Sequence, residues 1–157
     1  GRFPVFPNLL HEVVMTKLSD PNYTSGVAAF EAKSFSQAMQ FLSPLAEAGH
    51  ADAQHRVAIM SQNGLGVVRN EQRAFEMMKA AAQQGYAIAQ HGLGFMYLEG
   101  DCVEQDSAEA AGWFRKAADQ GLAGSLTTLA KMYEDGNGVE HDLDEAKRLY
   151  AEAGFDI

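Results

Sequence analysis

His55 and His91 lie 36 residues apart and are the first residues of the chain whose type invites chemistry, since imidazoles are common zinc ligands. If they sit at equivalent turns of neighbouring helices, the helix axes stand about 8–10 Å apart, a long span for two ligands that each reach about 2 Å to one ion. Satisfied surface histidines are the expectation, and no metal site. Cys102, with His91 and Asp106 in the same stretch, has the composition of a nucleophile, a base and an acid. His91, however, falls at the far end of the preceding helix, around three turns away, so these residues make no triad. The run Asp135-Gly136-Asn137-Gly138-Val139-Glu140-His141-Asp142 is rich in oxygen ligands. A calcium loop would need a ligand where Val139 stands, a glycine where Glu140 stands and a closing Glu where Ala146 stands. Gly64-Leu65-Gly66 is no phosphate cradle, because it follows a helical pattern and no Gly-Lys-Ser/Thr comes after it. No metal, cofactor or catalytic residue is expected, and the chain reads as a non-enzyme.

Composition and charge narrow the function classes further. At 157 residues, 46% hydrophobic and 21% charged, the chain is one globular domain with a sizeable core. No apolar run nears the roughly 20 residues of a membrane-spanning helix. Residues 1–98 hold seven acids and seven bases, and residues 99–157 hold fourteen acids and five bases, so the net charge of -9 lies entirely in the last third. An acidic surface repels nucleic-acid phosphates and anionic lipid, so neither nucleic acid nor membrane is expected as a partner. A lone cysteine closes no internal disulfide and favours a reducing compartment. The cytoplasm is the expected location, with the periplasm as the alternative if a signal peptide has been removed.

The elements that position these residues are announced by a repeat. Gly49, Gly85 and Gly121 are 36 residues apart, as are Gly64, Gly100 and Gly136. The same offset joins Ala38, Ala74, Ala110 and Ala146, then Met60, Met96 and Met132, and then Asn70, Asp106 and Asp142. Within a period, Ala89, Leu93, Met96 and Tyr97 fall on one helical face, and Gly100 closes that helix by taking the left-handed conformation. A tight loop follows, in which Val67, Val103 or Val139 is placed to plug the gap between helices. Asp106 and Asp142 then cap a second helix, with Glu109 and Glu145 three residues later predicted to complete a capping box. A lone hairpin of this kind cannot cover its own apolar stripe, so hairpins must stack with a constant offset into a right-handed superhelix. Asp20-Pro21 opens a further helix to about Ala32, and Ser36 to Ala48 forms another, for about seven helices in all.

The pattern Ala89-x-x-x-Leu93-Gly94-x-x-Tyr97-x-x-Gly100, then Val103, Asp106, Ala110, Trp113-Phe114 and Lys116-Ala117-Ala118-x-x-Gly121, resembles the Sel-one-like repeat (SLR), a relative of the tetratricopeptide repeat (TPR). The resemblance covers units 51–86, 87–122 and 123–157, with 19–50 as a degenerate first repeat. Cys102 departs from the pattern in place of a loop glycine, Ser61 in place of a tyrosine and Ser125 in place of an alanine. The resemblance implies an all-α, α-α superhelix of TPR/SLR-type hairpins and a non-catalytic adaptor or scaffold, often in bacterial signalling or envelope stress. Cysteine-rich relatives associated with penicillin binding and β-lactamase activity supply a hydrolase as the alternative. They carry paired cysteines in each repeat, and this chain has one cysteine in total.

In SLR and TPR superhelices the first helix of each pair lines the concave face. Opposite the buried residues of those helices stand His55, Ile59 and Gln62, then His91, Phe95 and Leu98, then Thr127, Lys131 and Glu134. Nothing in the pattern requires apolar residues there, so Ile59, Phe95 and Leu98 suggest a contact site for a protein or peptide partner, with Phe95 as its aromatic anchor. Substituting Phe95 or Ile59 by Asp is expected to abolish capture with little change in melting. Residues 1–18 are read as an N-terminal arm, vector-derived or a docking segment, and residues 19–157 as a single solenoid domain. A homodimer is expected through that arm, whose Phe3, Phe6, Leu9 and Leu10 can dock, or through the uncapped C-terminal repeat. There, Phe155 and Ile157 are expected to fold back over Leu149 and Tyr150.

Overall fold

The computed structural model describes residues 20–155, and these form a helical stack. Its elements are α1 (Pro21–Glu31), α2 (Phe35–Glu47), α3 (Ala51–Asn63), α4 (Glu71–Gln83), α5 (Ala87–Glu99), α6 (Ser107–Asp119), α7 (Ala123–Asp135) and α8 (Leu143–Glu152). There are eight helices among the described residues, not seven, and no strand. The elements read from the sequence, two helices at 20–48 and two in each of the three later units, themselves sum to eight; α1 and α2 are joined by only residues 32–34, where the later hairpins use a longer loop. Each helix packs on its predecessor and its successor in the chain, which is the contact pattern of a solenoid. The arm at 1–18 and the fold-back of Ile157 lie outside the described residues.

Local chemistry sets the helix ends. Asn70, Asp106 and Asp142 each accept a hydrogen bond from the backbone N–H three residues on, at 3.0 Å, satisfying one orphan donor of α4, α6 and α8. The reciprocal half of the predicted capping box does not form, because the Asp106 and Asp142 backbone N–H groups already donate to the Tyr97 and Tyr133 carbonyls, at 2.9 and 3.0 Å. Glu109 accepts instead from the Trp113 indole at 3.2 Å, and Glu145 accepts from Arg115 and Arg148. Gly64, Gly100 and Gly136 close the first helices with φ of 65°, 68° and 64°, the left-handed region that glycine enters without a Cβ penalty. Of the three loop valines, Val103 and Val139 pack on the core as predicted, whereas Val67 is exposed and Leu65 packs there in its place.

Three apolar clusters run along the stack, each made by residues of adjacent hairpins. Alanines allow the close approach, and Gly94 shows why: a Cβ there would lie 2.8 Å from the ring of Phe114. A ladder of glutamines ties the turns together. Gln84 donates to the Gly49 carbonyl and to Gln54, and Gln120 does the same one period later to Gly85 and Gln90, all at 2.9–3.0 Å. Ser61, where the pattern prefers tyrosine, is fully buried and its hydroxyl has no partner among the described residues.

Candidate functional site

The nine residues expected on the concave face come from α3, α5 and α7, and the structure treats the two junctions between these helices differently. At the first junction, Gln62 Nε2 donates to Asp101 Oδ2 at 2.7 Å, and Arg69 also engages Asp101, at 2.9 Å, so polar side chains span from the end of α3 to the loop after α5. At the second junction the same two positions hold Leu98 and Asn137. Leucine can form no such bridge, and a hollow of about 340 Å³ lies there, lined by Phe95, Leu98, Thr127, Thr128, Lys131, Met132, Asp135 and Asn137.

Four of the nine expected residues therefore meet around one cavity: Phe95, Leu98, Thr127 and Lys131. The other five do not line it. His55 stands edge-on to Tyr86, with ring centroids 5.7 Å apart, and Ile59 packs against the core. Gln62 is committed to Asp101. His91 shares a 2.7 Å hydrogen bond with Ser125, and Glu134 accepts from the Tyr150 hydroxyl at 3.4 Å. Phe95 is not a freely projecting anchor. It is half-buried and edge-on to Phe114 and His91, at 5.0 and 4.9 Å, so one edge of its ring belongs to the core and the other to the groove. Thr128, Met132, Asp135 and Asn137 were not among the expected residues. Comparing Gln62 and Asp101 with their equivalents 36 residues on supplies the signal that finds Asn137.

A second polar cluster ties together α1, α3 and the entry to α5. Asp52, on α3, accepts from the hydroxyl of Tyr23 on α1 at 2.8 Å, from the hydroxyl of Tyr86 before α5 at 2.7 Å, and from Arg56 Nε at 2.8 Å. Burial opposes ionisation of Asp52, but hydrogen bonds from Tyr86, Arg56 and Tyr23 and the charge of Arg56 outweigh it, and the carboxyl titrates below its usual range. Burial, reinforced by that carboxylate, pushes both phenols up to about 12. No periodic signal marks this cluster, since the equivalents of Asp52 are Ile88 and Gly124.

The arrangement offers little to a reaction. His91 and Ser125 are a base and a hydroxyl at hydrogen-bond distance, yet Ser125 is fully buried, so no substrate carbonyl reaches it. Burial lowers the pKa of His91, and of His55, favouring neutral imidazoles. Burial, with the charge of Asp101, pushes the Cys102 thiol up to about 11, opposite to the activation a nucleophile needs. Among the described residues no three His, Cys, Asp or Glu side chains gather as metal ligands, and no helix is long and apolar enough to cross a membrane.

The Sel1 repeat family model matches residues 51–86, 87–122 and 125–154. The chain belongs to the Sel1 repeat family. A Sel1 repeat protein from Oxalobacter formigenes is 32% identical over 84% of this chain and 53% of its own, with a TM-score of 0.80. The protective antigen c5321 of uropathogenic Escherichia coli strains, which displays an SLR fold, is 31% identical over 94% of this chain and 33% of its own, with a TM-score of 0.80. The chain thus spans about half and a third of these relatives. Cysteine rich protein B of Helicobacter pylori, 19% identical over 76% of this chain and 86% of its own with a TM-score of 0.60, shares the fold. No curated protein matches the chain. Sel1 repeats are helical, TPR-like modules for protein–protein interaction and are generally not catalysts, and the eight-helix stack is built from them.

Proposed function

We propose that this Sel1 repeat chain is a non-catalytic adaptor that seats a peptide segment of a partner protein in the groove between α5 and α7. The observation that carries the reading is the contrast between the junctions: Gln62–Asp101 bridges one, and Leu98 with Asn137 leaves the other hollow over an apolar floor. A cavity of about 340 Å³ accommodates one or two side chains, the scale of a peptide anchor. The remaining inner-wall residues, His55, Ile59 and Gln62 among them, flank the anchor site and shape its approach.

The test is to install the bridge that nature placed at the other junction. Leu98→Gln with Asn137→Asp is expected to reduce peptide capture about tenfold or more while the chain stays folded, with melting lowered by a few degrees because Leu98 is half-buried against the core whereas Asn137 is exposed. Capture unaffected by the double substitution would remove the groove from the function. Nitrocefin turnover at the rate of buffer alone is the expected companion result, and measurable turnover would favour a hydrolase on this scaffold instead.

A further inference from the structure

The hollow lies over the last turns of α5 and α7, where Phe95 and Leu98 precede Glu99, and Lys131 and Met132 precede Asp135. Both helices end there at left-handed glycines, Gly100 and Gly136. Although the carbonyls of Met96, Tyr97, Leu98, Met132 and Tyr133 already accept hydrogen bonds from the loops that follow, the negative ends of both helix dipoles meet one edge of the groove. The side chains add to it. Lys131, the cation of the lining, is already held by Glu134 and Asp135 at 3.5 and 3.3 Å. Arg69, at the neighbouring loop, is likewise held by Glu71 and Asp101. Glu99 and one carboxylate of the Glu134–Asp135 pair remain in excess of the local cations, within the part of the chain that carries all of its net charge. The hydroxyls of Thr127 and Thr128 both donate to the Gly124 carbonyl, at 3.1 and 2.7 Å, which leaves their oxygens as acceptors beside the groove. An apolar floor is therefore rimmed by acceptors and negative charge.

We infer that the occupant is a cationic peptide, with an apolar side chain on Phe95, Leu98 and Met132 and a lysine or arginine beside it over the ends of α5 and α7. This rests on the proposed groove and adds the chemistry of its partner. Lysine and arginine bring donors and no acceptor, matching the carboxylates and threonine oxygens, whereas an acidic flank would meet the excess of negative charge around the groove.

The experiment pans phage-displayed random dodecamers against the whole chain, with the Leu98→Gln/Asn137→Asp protein as counter-selection. Peptides retained by the unaltered chain alone are expected to combine an aromatic or aliphatic residue with a net positive charge. Reversing that charge in a recovered peptide is expected to weaken binding about tenfold at low salt, and rising salt should erode the difference. Asp135→Asn is expected to weaken the cationic peptide about threefold while leaving its charge-neutralised version unchanged. Recovered groove-dependent peptides that are neutral or acidic overturn the inference and leave the groove standing. Recovery of no peptide that distinguishes the two proteins overturns the groove, and the inference falls with it.

Discussion

Replacing Asp52 by Asn removes one charge from the point where α1, α3 and the entry to α5 are tied together. The carboxylate accepts from Tyr23, Tyr86 and Arg56 at 2.7–2.8 Å with its side chain only 15% exposed. Hydrogen bonds to charged groups are each worth about 1.5–3 kcal/mol, but these three act as one network, the phenols reach water, and Asn keeps one acceptor. A net loss of about 2 kcal/mol is therefore expected, or roughly 4–8 °C in a chain of this size. The pH dependence carries a sharper signature. The Asp52 carboxyl is depressed in the folded state, so its contribution is complete above the ordinary value of 3.8 and is lost as pH falls through the depressed one. The phenols are raised to about 12, so their contribution is complete below the ordinary 10.0 and is lost as pH rises towards 12. The stability difference between the two proteins should be level near neutrality and shrink at both extremes. Phenolate absorbance should show two of the five tyrosines ionising earlier in Asp52→Asn, though still above 10, because burial is the larger cause of their shift. Unchanged phenol titration, or a stability difference indifferent to pH, refutes the network.

Ser61→Ala removes a fully buried hydroxyl without a partner and is expected to raise stability by about 1 kcal/mol, read as a higher melting temperature. Cys102 holds φ at 66° where the other two loops have Gly66 and Gly138, so Cys102→Gly is expected to gain about 0.5–1 kcal/mol in denaturant titration. With its thiol pushed up from 9.0 to about 11, Cys102 should alkylate roughly tenfold more slowly than a free cysteine at neutral pH, the smaller thiolate fraction being partly offset by the greater nucleophilicity of a more basic thiolate. Phe95→Asp is expected to lower melting by several degrees, contrary to the sequence expectation, because the ring rests on Phe114 and His91 and a carboxylate there would be half-buried.

The amino-acid sequence by itself determined the period, the hairpin and the ends of nearly every helix. Gly100 enters the left-handed region and Asp106 caps the next helix because each acts within a few residues of its own backbone, and a repeating chain writes such local rules at a fixed spacing. The same locality made the inner-wall stripe readable, since side chains on one helix turn by a constant angle. What only the tertiary structure decided was which part of that wall is open. Gln62 reaches Asp101 across 39 positions and Asp52 gathers Tyr23 and Tyr86 across 29 and 34, pairings that occur in one copy of the repeat and so have no period to betray them. Phe95 likewise reads as a surface residue along α5 and becomes half core once Gly94 lets Phe114 in beneath it. Periodicity reports what each hairpin shares with the next, and the proposed groove lies where two neighbours differ.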